Sequence, residues 1–292
     1  MQRWLWLIGT HLVHRLPVQF LYKVAKLIGK IVFVFWIRGR QNMLANYAHV
    51  LPELKESERR TIARKSLENY YCYVVDFARL PNLPSKLIES ALAKDEHFEG
   101  IDRALEQGRG VIVVVMHFGN WDLGASSAAL KGYPITVLAE TFSDSHLDKM
   151  IVGTREKLGL KVTKIEGTAP SIIRDLRNNR LLAILLDRPM QEGDGVRVKF
   201  FGRELEVPAG PARLALRTGA AIVNVAFPKH RSNDLGISIL STFITNQEKG
   251  TDRNDEGAVQ RLTQAIMDEH EKFIRLHPTQ WYMFRRLWPP DK

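Results

Sequence analysis

The chain has one cysteine, Cys72, among its 292 residues. That excludes a disulfide framework and any multi-cysteine zinc or iron–sulfur site, and a reducing compartment fits best. Cys72 sits among Tyr70, Tyr71 and Tyr73 in a helical pattern and reads as core, not as a nucleophile. There is no Gly-x-Ser-x-Gly elbow, so the usual α/β-hydrolase route is not signalled. There is no Gly-x4-Gly-Lys-Ser/Thr, hence no P-loop, and Gly108-Arg109-Gly110 precedes its apolar run, the wrong order for a dinucleotide fingerprint. No His/Asp/Glu cluster has metal-ligand spacing, so neither a metal nor a cofactor is expected.

An uninterrupted membrane span is also missing. A span takes about 20 mostly apolar residues, and the stretch from Val18 to Ile37 is that long but is broken by Lys23, Lys26 and Lys30. Trp4 to Val13 is apolar, yet His14-Arg15-Leu16 follow where a cleavable leader would carry small residues, and no cleavage is expected.

Acidic residues are absent from the first 52 positions, the first being Glu53. The whole chain carries 42 Lys+Arg against 32 Asp+Glu, a net charge of +10, and the first 52 residues account for +7 of it. Charge of this sign points to an anionic partner. Lys23, Lys26 and Lys30 fall with Gln19 on one helical face, and Phe20, Leu21, Val24, Leu27, Ile28, Ile31 and Val32 fill the other side. A basic stripe beside an aromatic-rich apolar face describes a helix lying in a membrane interface. Seven cations at about 1 kcal/mol each set an upper bound of roughly 7 kcal/mol toward an anionic leaflet. Trp4, Trp6, Lys23, Lys26, Lys30, Phe33 and Trp36 are the expected membrane contacts. A surface helix packed on its own domain, or one tilted span through Ile31–Ile37, are the other readings. Because the charge is interleaved with Trp and Phe, a nucleic-acid partner is not expected.

Two parts follow: residues 1–52 as basic amphipathic anchoring helices and 53–292 as an α/β body. A helix is predicted over 53–79, ended by Pro81-Asn82-Leu83-Pro84. Beyond residue 100, short apolar runs alternate with helical segments: Val111–Met116, Ile135–Ala139, Leu181–Leu186 and Ala221–Phe227, with 236–240 a weaker fifth. Such runs indicate strands buried on both faces, joined by helices, in a mostly parallel central sheet flanked by helices. A late helix is expected over 255–276, then an aromatic, basic tail.

Each main run ends in polar groups: His117-Phe118-Gly119-Asn120-Trp121-Asp122 after the first, Glu140 after the second, Asp187-Arg188 after the third. In a parallel sheet, ligands bind outside the carboxyl ends of the strands, so these groups can share one rim. His117 and Asp122 are five apart across a glycine-containing turn, a spacing that can return the carboxylate to the imidazole. A carboxylate on one ring nitrogen leaves the other free to take a proton. With no side-chain nucleophile signalled, such a base fits direct attack by a substrate hydroxyl or by water.

Met116–Gly124 (Met-His-Phe-Gly-Asn-Trp-Asp-Leu-Gly) resembles the first block of the bacterial lipid A biosynthesis acyltransferase family, within the wider His-x4-Asp/Glu glycerolipid acyltransferases. The resemblance continues in Leu186-Asp187-Arg188, Val198-Lys199-Phe200-Phe201-Gly202, Val207-Pro208-Ala209-Gly210-Pro211-Ala212 and Thr218-Gly219-Ala220. The Pro-Ala-Gly-Pro-Ala block is also similar to phosphatidylinositol mannoside acyltransferases.

The resemblance implies transfer of an acyl chain from an acyl thioester, carried by acyl carrier protein or coenzyme A, to a hydroxyl of a membrane glycolipid. A lipid A precursor is the first expected acceptor and a phosphatidylinositol mannoside or other phospholipid the alternative. His117 would act as base with Asp122 orienting it, and Glu140 would supply a second carboxylate near the imidazole. Arg155 would bind a phosphate or polarise the thioester. Asn120, Asp187 and Arg188 are further candidate substrate contacts, Asp187 and Arg188 reading also as an ion pair at the rim. The implied location is the cytoplasmic face of the bacterial inner membrane, peripheral or monotopic. A hydrolase using the same pair on water, and a non-catalytic lipid-binding protein, are the competing classes.

Overall fold

A computed structural model describes residues 13, 15–92, 98–165, 169–190, 193–231, 234–244 and 255–288. Trp4 and Trp6 lie outside the described residues. The five-residue run Val-Ile-Val-Val-Val forms β1 (Val111–Val115), buried throughout. β2 (Ile135–Ala139), β3 (Lys161–Lys164), β4 (Leu181–Leu185), β7 (Ala221–Ala226) and β8 (Leu240–Ile244) join it in a six-stranded sheet ordered β3-β2-β4-β1-β7-β8. All pairings are parallel except β7 with the edge strand β8. The weak fifth run expected at 236–240 is replaced by β8, which only starts at Leu240. β5 (Val196–Phe200) and β6 (Arg203–Val207) form a separate antiparallel hairpin, turned through Phe201-Gly202 with positive φ at both residues. The Phe-Phe-Gly block is thus a hairpin turn.

Alternation along each strand sends side chains into two cores. Ile112, Val114, Leu182, Ile184 and Ile222 meet α8 (Ala169–Arg177), α9 (Gly210–Thr218) and α10 (Glu256–Leu276). Val111, Val113, Leu181, Val223 and Val225 meet α4 (Ser85–Glu89), α5 (Glu99–Leu105) and α6 (Trp121–Leu130). Pro211 lies in the first turn of α9, where its missing N–H costs nothing.

The N-terminal region forms α1 (Val18–Phe35) and α2 (Ile37–Val50), broken at Trp36, before α3 (Glu56–Arg79). Arg40 donates to the carbonyls of Phe33 and Val34 and so caps the last turn of α1. Gly29 of α1 lies so close to α3 that a Cβ there would stand 2.7 Å from Glu68 Cα. One continuous core contains Phe33, Met43, Tyr47 and Val50 together with Ile112, Trp281 and Trp288. The C-terminal tail packs inward: Asn46 donates to Arg285 O at 2.7 Å and accepts from Leu287 N at 3.1 Å.

α1 has three sectors. Leu21, Tyr22, Ala25, Gly29 and Phe33 are buried against the body. Phe20, Val24, Leu27, Ile28, Ile31, Val34 and Phe35 are exposed, and so is Trp36 beyond them. Lys23 and Lys30 are exposed, and Lys26 half-buried, in a stripe beside that apolar sector. Two expectations are corrected here: Phe33, at 3% exposure, is core and not a membrane contact, and Leu21 also faces inward. Residues that must fill the α1–α3 interface are apolar for that reason, and sequence alone does not separate them from apolar residues facing out. Among the described residues no helix is long and apolar enough to cross a membrane.

Candidate active site

The register between β1 and β4 pairs Val115 with Leu185, and two residues beyond each strand stand His117 and Asp187. Asp187 Oδ1 lies 2.7 Å from His117 Nδ1, and Asp187 Oδ2 accepts the His117 backbone N–H at 2.9 Å. Asp187 is buried, which works against its charge. Electrostatic attraction to the His117 ring and the two hydrogen bonds that His117 donates outweigh that, and the carboxyl is held below its ordinary range. With Nδ1–H donating to Asp187, His117 Nε2 is the nitrogen left as acceptor. Arg188 reaches it with a terminal nitrogen at 3.3 Å and forms an ion pair with Glu140.

The structure corrects the expected Asp122–His117 pair. Asp122 sits in the first turn of α6, and its carboxylate is engaged by other donors: Arg155 Nε at 2.8 Å, a second Arg155 nitrogen at 3.3 Å, and the Tyr73 hydroxyl at 2.7 Å. Burial opposes the Arg155 charge, but Asp122 prevails and holds the guanidinium above its ordinary value. Burial, then Asp122, likewise push the Tyr73 phenol well up. Arg155, on α7 (Ser145–Lys157), is therefore committed to Asp122.

Other candidates are also redistributed. Asp187 and Arg188 do not pair with each other; they take His117 and Glu140 respectively. Glu140 is joined to the imidazole through Arg188. Asn120, expected to touch substrate, is fully buried: its Oδ1 accepts from Leu123 N at 3.1 Å to cap α6, and its Nδ2 donates to Asp76 at 3.1 Å. The strand order β2-β4-β1 brings the ends carrying Glu140, Arg188 and His117 side by side.

Beneath this rim lies an apolar cavity between the sheet and α6. Val113, Val115, Val137, Ala183 and Leu185 line it from the strands, and Trp121, Ala125 and Ala128 from the helix. Its free space is about 620 Å³ with the open mouth included. Trp121 stacks on Tyr73 with centroids 4.2 Å apart and meets the His117 ring edge-on at 5.4 Å, so the imidazole stands beside the cavity. Asp122 and Arg155 also border it. An apolar slot with a few convergent polar groups at its mouth suits an elongated apolar ligand whose polar end is held at the rim.

Sequence reasoning missed Tyr73, Trp121, Asp76, Lys229 and His270. Asp76 left one signal, a carboxylate between Tyr73 and Phe77 on the buried side of α3. His270 of α10 is fully buried, and neither ring nitrogen has a hydrogen-bond partner among the described residues. Among the described residues no three His, Cys, Asp or Glu side chains gather as a metal site.

Known proteins extend the reading. The family described as bacterial lipid A biosynthesis acyltransferase matches residues 1–289. A phosphatidylinositol mannoside acyltransferase of Mycobacterium tuberculosis (strain ATCC 25618 / H37Rv) is 28% identical over 263 residues, covering 87% of this chain and 78% of that protein. Its counterpart from Mycolicibacterium smegmatis is 28% identical over 260 residues, covering 87% and 81%. Matched over nearly its whole length, the chain belongs to the bacterial lipid A biosynthesis acyltransferase family and is an acyltransferase.

Proposed function

We propose that the protein moves a fatty acyl chain from an acyl thioester to a hydroxyl of a membrane glycolipid, with His117 as general base and Asp187 orienting it. The observation that carries this reading is the His117–Asp187 pair beside the apolar cavity. The acyl chain lies in the cavity and its thioester carbonyl reaches the rim. The acceptor hydroxyl gives its proton to His117 Nε2 as its oxygen attacks that carbonyl. Asp187 stabilises the imidazolium that forms. Collapse of the tetrahedral intermediate expels the thiolate, which takes the proton back from His117. Arg188, whose guanidinium donates to Nε2 at 3.3 Å in the resting structure, gives up that contact as the acceptor hydroxyl docks and turns its positive charge to anionic parts of the donor or the developing oxyanion. General-base help of this type is worth about 10²–10⁴-fold.

Asp122 has a supporting role in this reading: with Arg155 and Tyr73 it fixes α7 and the wall of the cavity. The exposed apolar sector of α1, flanked by Lys23, Lys26 and Lys30, lies on an anionic membrane surface and brings the rim to its lipid substrates. This supports a peripheral enzyme at the cytoplasmic face of the inner membrane, with acyl carrier protein or acyl-CoA as donor.

A lipid A precursor is the acceptor that the family description favours. The 28% identity to phosphatidylinositol mannoside acyltransferases favours a mannosylated phosphatidylinositol. Mass spectrometry of membrane glycolipids from cells with and without the gene separates them, since the lost acyl chain marks the acceptor. In vitro, thioester turnover is expected to require the acceptor and to vanish in His117→Ala. Rapid turnover without acceptor would indicate a hydrolase, and undiminished transfer by His117→Ala would remove the base.

A further inference from the structure

Buried polar side chains join the N-terminal helix to the loop that carries His117. Tyr22 of α1 donates its hydroxyl to Asp76 of α3. The same carboxylate accepts from Lys229 Nζ, just beyond β7, and from Asn120 Nδ2. The Lys229 ammonium also lies 5.0 Å from the Tyr22 ring centroid. None of the four residues is more than 5% exposed. Burial pushes the Asp76 carboxyl upward against the opposing pull of Lys229 and Tyr22. A carboxylate in such a place depends on every donor it has.

The loop itself has no slack. Gly119 has a φ of +61°, and a Cβ there would stand 2.0 Å from Phe227 O. Its N–H donates to Gln280 O at 3.0 Å, and Asn120 N–H donates to Phe227 O at 2.9 Å. Gln280 in turn exchanges two hydrogen bonds with the Lys229 backbone, at 2.7 and 2.9 Å. Asn120, three residues after His117, caps α6 with one end of its amide and holds Asp76 with the other. A displacement of α1 therefore reaches the His117 loop through Tyr22, Asp76 and Asn120. On its opposite side α1 carries the exposed Phe20, Leu27 and Ile31.

We propose that Tyr22, Asp76 and Lys229 are positioning residues that make the placement of His117 depend on how α1 is seated on a lipid surface. This rests on the reading of His117 as the base. It adds that the site is tuned from the membrane side of the molecule, so that acyl transfer is fastest on a bilayer.

The test uses the full chain with its histidine rings isotopically labelled. The His117 imidazole is titrated by NMR with and without small vesicles of mixed phosphatidylglycerol and phosphatidylcholine, and vesicle binding is followed by sedimentation. In the unaltered protein, vesicles are expected to shift the His117 resonance and its titration midpoint. Tyr22→Phe keeps the ring and removes the donor; it is expected to sediment with vesicles as before but to lose that shift. With palmitoyl-CoA and phosphatidylinositol mannoside in the same vesicles, its kcat is expected to fall by about tenfold to a hundredfold, with the KM for the donor unchanged. The double variant Phe20→Ser/Ile31→Ser touches none of the buried groups and keeps the measurement decisive should Tyr22→Phe fold poorly. It should lose both vesicle binding and the His117 shift. A His117 signal indifferent to vesicles in the unaltered protein, or responding equally in Tyr22→Phe, overturns the proposal. Failure of the base reading shows separately, as transfer surviving in His117→Ala.

Discussion

His117 and Asp187 are seventy positions apart in the chain, yet Nδ1 of one and Oδ1 of the other are 2.7 Å apart. Each stands two residues beyond its strand, on strands paired in register at Val115 and Leu185. The pair therefore extends the sheet by one step, and its geometry is held by the same ladder that holds β1 and β4.

Replacing Asp187 by asparagine should leave the sheet intact and remove the charge that fixes the imidazole. We expect kcat to fall by about 10²–10⁴-fold, with a smaller change in the donor KM. Steady-state rates on vesicles check this. A rate within twofold of the unaltered protein would falsify Asp187 as the orienting group.

Asp122→Asn should behave differently. It leaves Arg155, whose side chain is 11% exposed, without its counter-charge. Removing one member of a buried pair costs about 3–5 kcal/mol, so urea unfolding should shift strongly. Replacing both partners, as Asp122→Asn/Arg155→Met, should recover part of the loss. A stable Asp122→Asn with a greatly reduced kcat would instead return Asp122 to the chemistry.

The cavity wall predicts chain-length preference. Ala183 of β4 lines the slot, and Ala183→Leu fills part of it. Donor preference should move to shorter acyl chains, each excluded methylene being worth about 0.8 kcal/mol. Competition between acyl-CoA donors of graded length reads the shift; an unchanged profile would place the chain elsewhere.

Acid stability should report His270. Burial lowers its pKa to about 4 from an ordinary 6.5, with Asp187 and Glu269 opposing. Between those values the unfolded chain binds a proton that the folded one refuses, so stability falls as pH drops through that window. The loss reaches about 3 kcal/mol at most. Asp187, held below its ordinary carboxylate range, contributes stability that is lost only at lower pH. His270→Phe should flatten the slope between pH 6.5 and 4 in urea titrations, while His277, lowered in the same direction by burial, persists in both proteins. An unchanged slope would assign the acid loss to other groups.

Vesicle binding should follow the lysine stripe. Changing Lys23, Lys26 and Lys30 to alanine removes about 1 kcal/mol each toward an anionic surface, and sedimentation with phosphatidylglycerol vesicles should weaken by about a hundredfold. Raising salt should weaken the unaltered protein in the same direction. Binding that is insensitive to both changes would leave the apolar sector alone responsible.

Much of the fold was legible because its signals are local. Five β-branched residues in a row make β1, and Pro81 and Pro84 end α3. The charge-free side of α1 stands out against its lysines. Lys161–Lys164 was not legible, being a half-exposed edge strand with a lysine at each end. The inward turn of Phe33 was not legible either, since the α1–α3 interface is apolar like the exposed sector.

The sequence by itself determined which residues end each strand, and so which groups crowd the rim: His117, Glu140, Asp187 and Arg188. It also determined that the N-terminus would carry a basic amphipathic helix. Only the tertiary structure decided which acid pairs with the histidine. Asp122 is nearer along the chain, but Arg155 and Tyr73 converge on it from α7 and α3. Strand order places β4, not the turn after His117, beside β1. Nothing local in the sequence encodes that neighbour, because strand order is set by how the crossovers pack two faces of one sheet.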